Sequence, residues 1–307
     1  MSERSILVVV HARRDDTVAA AERVVTALRT AGARPVFAPE DHEALSAIDP
    51  RFAEVALLGR DAHSDELELA IVLGGDGTIL RGAELVRGCV APVLGINMGH
   101  VGFLAEIDRD AMDEAVRRVI ARDYEVEERL ALSVAVTDAD GEVVYETWAL
   151  NEATVEKASR ERMIEVVLEI DDLPVSSFGC DGMVISTPTG STAYNFSAGG
   201  PIIWPTVEAI AVVPLSAHAL FARPLVVGPE ARVVIEMLER GQGAGILWCD
   251  GRRSHELPQG ARVVVRRSAA PVRLARLHPT PFSNRLVQKF HLPVEGWRGR
   301  APGGARA

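Results

Sequence analysis

The apolar run LELAIVL, residues 67–73, passes without a spacer into the glycine turn GGDGT and then into TILRGAELVRG, which reads as a helix. A buried strand, a tight turn and a helix in that order form half of a βαβ unit, the connection that parallel strands require. The rest of the first third repeats the rhythm. ILVVVH (6–11) reads as a buried strand. DDTVAAAERVVTALRTAG after it carries Val18, Ala21, Val25 and Leu28 at helical spacing, with Thr17 as a candidate N-cap and Gly32 as a stop. RPVFAP and APVLGIN read as strands and DAMDEAVRRVIARD as a further helix. Alternation at this pace predicts an α/β domain over residues 1–128, with a Rossmann-like parallel sheet covered by helices.

Past Glu128 the period changes. LALSVAVTDADGEVVYETWAL is two alternating runs around Asp138 to Gly141, a hairpin signal, and MIEVVLEI, GMVIST, ALFARPLVV, RVVIEML, GILWC and ARVVVRRS follow as strands. These predict a mainly antiparallel, sandwich-like all-β domain over 129–278. The helical stretch NRLVQKF falls in a segment, 279–297, expected to return to the first domain, and the Gly/Arg/Ala tail 298–307 is expected to be disordered. Two domains also suit 307 residues, more than one core comfortably serves.

Several classes of function are disfavoured. A net charge of −10 argues against a general nucleic-acid binder. Cys89, Cys180 and Cys249 are odd in number and widely spaced, so neither a disulfide framework nor a zinc site is expected, and reduced, buried thiols are. The N-terminal apolar run is too short for a signal peptide, and AIAVVPLSAHALFARPLVVG is interrupted by Pro214, His218, Arg223 and Pro224, so the expectation is a soluble, cytoplasmic protein without a membrane span.

The glycine turn carries the chemistry. Backbone N–H groups of Gly74, Gly75, Gly77 and Thr78 at the start of a helix can hold a phosphate without a lysine. GGDGT is not a Walker A loop, which ends in Gly-Lys-Ser/Thr, and Leu80 occupies the third glycine position of the dinucleotide fingerprint. The plainer alternative is a tight turn with Asp76 as a cap. A carboxylate beside a phosphate is repelled unless a divalent ion or a transferable proton occupies it, which points to phosphoryl transfer with Asp76 orienting and deprotonating a hydroxyl. Arg81, one helical turn past Gly77, is a candidate fork donor to phosphates, and Arg13 and Arg14 after the first strand are candidates for the donor side. His100 and His218 read as structural. No cluster has the spacing of a metal site fixed by protein, so magnesium is expected to arrive with the phosphate donor.

GGDGT occurs in NAD kinases, in diacylglycerol and sphingosine kinases and, in variant form, in phosphofructokinases. LNEATVEK (150–157), CDGMVISTPTGSTAYNFSAGGPI (180–202) and GINMGHVGFL (95–104) narrow the match, and nearly the whole chain resembles the bacterial NAD kinase family. Read alone, Asn151-Glu152 is a strand end. TPTGSTAYNFSAGG is rich in neutral donors and acceptors and carries one aromatic face, which suits either a nucleoside or a loop capping a helix that starts near Ala193. The resemblance implies that Asn151 and Glu152 contact the adenine and ribose of NAD, that Arg162 contacts the nucleotide and that Asp181 bonds the base. It further implies that the segment Thr192, Ala193, Tyr194, Asn195, Phe196 and Ser197 holds NAD, together with Asp76, Gly77 and Arg81. It also implies ATP or polyphosphate as donor, an acceptor lying between the domains, and a homodimer or homotetramer whose neighbouring subunit completes the adenosine site. A lipid or sugar kinase of the same superfamily is the rival enzyme, and a non-catalytic dinucleotide-binding regulator is the rival of another class.

Overall fold

A computed structural model describes residues 4–11, 15–99, 102–160, 162–219, 222–238, 243–277 and 281–294. The expectations for Arg13, Arg14, His100 and the tail lie outside the described residues. The chain forms two compact units, Met1–Glu127 with Arg273–Ala307, and Glu128–Val272.

In chain order the first unit begins β1 (Ser5–Val10), α1 (Asp15–Thr30), β2 (Arg34–Phe37), α2 (Pro39–Ile48), β3 (Ala56–Leu57), β4 (Leu67–Leu73) and α3 (Asp76–Leu85). It continues β5 (Val93–Asn97), β6 (Ile107–Asp108), α4 (Met112–Ala121) and β7 (Glu125–Arg129). The sheet runs β3-β2-β1-β4-β5-β20-β7 with β6 beside β5, where β20 is Val272–Arg276. Every residue of β1 is buried because both faces of the sheet are covered. Ile6, Val8, Leu69, Ile71 and Leu73 share a core with Val24 and Leu28 of α1 and Val116 and Val119 of α4, while α3 packs on β4 and β5 where Gly82 meets Val72. From β1 the chain steps outward through β2 and β3, then returns to lay β4 on the other side of β1 in parallel, Val8 opposite Ile71. That reversal is a topological switch point, and GGDGT leaves the carboxyl end of β4 at it.

Two details differ from the sequence reading. Thr17 is fully buried inside α1, which starts at Asp15, so it is not the N-cap. Helix α2 was not anticipated, since it buries only Asp41 and Leu45 and offers almost no apolar period.

The second unit contains β8 (Leu132–Thr137), β9 (Val143–Ala149), β10 (Glu152–Lys157), β11 (Ile164–Ile170), β12 (Leu173–Cys180), β13 (Gly182–Ser186) and the single turn α5 (Tyr194–Ser197). Then come β14 (Ile210–Leu215), β15 (Leu225–Val227), β16 (Val233–Met237), β17 (Gly245–Cys249), β18 (Arg253–Leu257) and β19 (Arg262–Arg267). Two six-stranded sheets, β15-β14-β13-β10-β17-β18 and β12-β11-β16-β19-β8-β9, are antiparallel in their pairings and share one core that includes Val155, Ile185 and Leu247 from the first and Val134, Val166 and Val263 from the second. This is the sandwich-like arrangement of the sequence reading. The unit ends at Val272, so β20, which the sequence reading kept in the β-rich region to 278, lies instead beside β5, Leu274 opposite Val93. Helix α6 (Phe282–Phe290) follows it in the first unit. All three cysteines are free; Cys180 and Cys249 are buried and Cys89 is half-buried. Among the described residues no helix is long and apolar enough to cross a membrane.

Candidate active site

The residues singled out in the sequence form two clusters, one in each unit. In the first, Gly74 N–H donates to Ile96 O (3.0 Å) as the last rung beside β4, and the Gly75 carbonyl accepts from Thr78 N–H (2.9 Å) and Ile79 N–H (3.1 Å) as α3 begins. Gly75 is the N-cap and makes no side-chain bond, so Asp76 is the first helical residue and not a cap. Its carboxylate turns to the segment after β5, with Oδ2 accepting from Phe103 N–H (3.0 Å) and Oδ1 from Leu104 N–H (3.1 Å). The approach is close enough that a Cβ at Gly102 would fall 2.2 Å from Asp76 Oδ1. Gly75 and Gly77 are exposed, leaving the helix N-terminus open to an anion.

Arg81 is not a loose cation beside this turn. Its Nη2 donates to both oxygens of Asp41 (2.7 and 2.8 Å) and to Val10 O (2.7 Å), fastening α2 to the end of β1. Burial raises the Asp41 pKa while the Arg81 bond opposes it. A phosphate would compete with Asp41 for this guanidinium.

In the second cluster a third carboxylate does the positioning. Asp250, just past β17, accepts from Leu150 N–H (2.9 Å), Asn151 N–H (2.7 Å) and Arg253 Nη2 (2.9 Å). Thr187 Oγ1 donates to Leu150 O (2.6 Å), and Thr187 N–H donates to Asn151 O (2.9 Å). Asn151 and Glu152 are thereby fixed at 8% and 7% exposure. Asn151 Oδ1 and Glu152 Oε2 are buried with no hydrogen-bond partner. Burial first, and then the charge of Asp250, push the Glu152 carboxyl up to about 8, against a bond from Tyr194 N–H.

The neighbouring loop splits in its behaviour. Tyr194, Phe196 and Ser197 are exposed, Thr192 and Ala193 half-buried. The Tyr194 side chain is hydrogen-bonded to Glu156, which also accepts from Thr154 Oγ1 (3.1 Å). Asn195 is fully buried, Nδ2 donating to Ser191 O (3.1 Å) and Pro201 O (2.9 Å), so it braces the loop, while its Oδ1 is buried with no hydrogen-bond partner. Asp181 pairs with Lys157 (2.5 Å), which holds its carboxyl below the ordinary range. Arg162 is exposed two residues before β11.

Comparison with known proteins gives this geometry its context. The model described as ATP-NAD kinase N-terminal domain matches residues 6–124, and that described as ATP-NAD kinase C-terminal domain matches 150–277. The chain belongs to the NAD kinase family. It is 62% identical over 298 residues to the NAD kinase of Leifsonia xyli subsp. xyli, covering 97% of this chain and 98% of that one. It is 54% identical to NAD kinase 2 of Streptomyces coelicolor, covering 96% and 97%. A solved NAD kinase from Archaeoglobus fulgidus in complex with ATP superposes with a TM-score of 0.69 at 26% identity, over 94% of this chain and 100% of that one. Yeast NADH kinase complexed with NADH shares the fold, with a TM-score of 0.84 at 23% identity over 95% and 89%. Membership makes the chain a phosphotransferase.

Three carboxylates of this NAD kinase family member escaped the sequence reading: Asp41, Asp250 and Glu106, which accepts from Arg276 Nη1 (2.9 Å) and Leu277 N–H (3.0 Å). Each acts on a partner far away in sequence, and no short-range spacing could have exposed them. Only Asp250 carries a faint local signal, an aspartate-glycine pair closing a strand, with Asp250 itself at φ +55°.

Proposed function

We propose that the chain transfers the terminal phosphoryl group of ATP or inorganic polyphosphate to the 2′-hydroxyl of the adenosine ribose of NAD, giving NADP in the cytoplasm, with Asp76 as the catalytic residue. The reading rests on two buried polar atoms of adjacent residues that have no hydrogen-bond partner, Asn151 Oδ1 and Glu152 Oε2. Adenosine brings an exocyclic amine that can donate to the Asn151 oxygen and ribose hydroxyls that can donate to or accept from the Glu152 carboxyl, whose proton burial retains. The exposed rings of Tyr194 and Phe196 offer faces for a base. Phosphates suit the other cluster, where Gly75 and Gly77 leave the start of α3 open.

In the transfer, the hydroxyl oxygen bonds to the terminal phosphorus, the bond from that phosphorus to the leaving oxygen breaks, and the hydroxyl proton passes to the Asp76 carboxylate. Each Asp76 oxygen accepts one backbone N–H, which leaves a lone pair on each for the hydroxyl. Magnesium entering on the donor phosphates would neutralise their charge, with Asp76 the carboxylate of the turn able to meet it. Among the described residues no group of three or more His, Cys, Asp or Glu is placed to hold a metal ion.

The test is NADP formation by Asp76→Asn at saturating substrates, within a screen crossing NAD and NADH with ATP and polyphosphate. A loss of at least a hundredfold in kcat is expected, by about the size of effect that positioned acid–base groups contribute. Phosphorylation of a diacylglycerol or sphingoid base but not of NAD would overturn the acceptor, and binding of NAD without transfer from any donor would favour a regulator. A homodimer or homotetramer is part of the same proposal. It is supported by Leu173 and Val175 on β12 and Val143 and Val144 on β9, exposed apolar residues on the two edge strands of one sheet.

A further inference from the structure

We infer that Arg285, in the C-terminal helix α6, is a positioning residue for Asp76; the inference rests on the role proposed above for that carboxylate. Arg285 is 9% exposed, and its guanidinium is spent entirely on the segment that holds Asp76. Nη1 donates to Phe103 O (3.1 Å) and to Ala105 O, and Nη2 donates to Glu106 Oε2 (3.1 Å).

The Phe103 carbonyl and the Leu104 N–H belong to one peptide group. That group therefore has a cation on its oxygen and, 3.1 Å from its nitrogen, Asp76 Oδ1. A peptide dipole held between opposite charges is oriented by both, and each hydrogen bond strengthens the other. The adjacent Phe103 N–H supplies the second bond to Asp76; it lies in the preceding peptide group, so the fork holds the Leu104 amide directly and the Phe103 amide through the residue they share.

The arrangement is anchored in two further ways, one from β20 and one from α6. Glu106, between Arg285 and Arg276 Nη1 (2.9 Å), also accepts Leu277 N–H (3.0 Å), which ties the end of β20 to the same segment. The Phe103 ring packs between Phe282 (6.0 Å between centroids) and Phe290 (5.6 Å). A residue that merely stabilised the fold would have no need to address the carbonyl between the two Asp76 amides together with two acceptors just beyond them. A fork does, and lysine, with a single nitrogen, cannot span the same three acceptors.

The test uses the full chain with Arg285→Lys, which keeps a cation for Glu106, and Arg285→Met, each assayed for kcat and KM and by hydrogen–deuterium exchange. The inference expects both variants to lose kcat, roughly ten- to a hundredfold for a displaced reacting group, with KM for NAD changed less than threefold. It also expects peptides covering 103–105 to exchange faster in Arg285→Lys while those of β4 keep their protection. Wild-type kcat in Arg285→Lys, or faster exchange spread evenly over the first unit, would overturn it. Asp76→Asn measured alongside separates the two ideas. Full activity there removes the role of Asp76 itself, whereas a large loss there with unchanged Arg285 variants removes only the role of Arg285.

Discussion

Replacing Glu152 with glutamine should make the protein more stable at pH 8 than at pH 5 relative to the unmodified chain, because the native carboxyl is held where it resists ionisation. Its ordinary value of 4.5 is pushed up to about 8 by burial and by the Asp250 charge. A carboxyl raised in the folded state retains a proton that the unfolded chain has released, so between those two values stability falls as pH rises. The slope for one group is about 1.4 kcal/mol per pH unit, and the whole interval amounts to about 5 kcal/mol. Glutamine keeps the side-chain shape and has no charge to desolvate, so the interval is absent in the variant. Urea unfolding of both proteins at pH 5, 6.5 and 8 reads the difference, in which other titrating groups cancel. The variant should gain several kcal/mol on the unmodified chain across the series while its KM for NAD rises. A difference in unfolding free energy that stays flat within about 1 kcal/mol would refute the placement of a costly buried charge at Glu152.

Two further substitutions probe the scaffold. Arg81→Met strands Asp41, which is buried and among the described residues is otherwise reached by Val10 N–H at 3.4 Å; a loss of about 3–5 kcal/mol is expected in urea unfolding, and less than about 1 would show that Asp41 finds another partner. Gly190→Ala places a Cβ 2.1 Å from the Asn151 carbonyl oxygen. It should cost about 1–3 kcal/mol and raise KM for NAD, read by the same unfolding assay and by initial rates, with unchanged KM counting against the link between that loop and Asn151.

What was legible in the sequence follows from how each element earns its burial. Strands β1 and β4 are covered on both faces, so their apolar runs are unbroken and announce a parallel sheet. The edge strands β12 and β18 are mostly exposed or half-buried, and their residues, LPVSSFGC and RSHEL, carry no alternation that marks a strand. β20 falls by sequence within the β-rich region, and only its partner β5, with Leu274 opposite Val93, reveals its sheet. Within the site, GGDGT stood out by type and spacing, and Asn151-Glu152 through the resemblance to the family. Asp250 and Arg285 did not, because what defines them is the backbone they hold, and a sequence records backbone contacts nowhere.

The path of the chain through the first sheet has a consequence for its synthesis. Strand β20 sits between β5 and β7, yet it spans Val272–Arg276, and α6 with Arg285 comes later still. On a ribosome the contiguous unit Glu128–Val272 can fold while the first sheet still has a vacant slot, and GGDGT will have been outside the exit tunnel for most of that time without its brace. Because the closing contacts join distant parts of the chain, completion of that sheet is a slow, late event. A chain released before α6 therefore carries the GGDGT motif without Arg285 or the two rings that pack on Phe103.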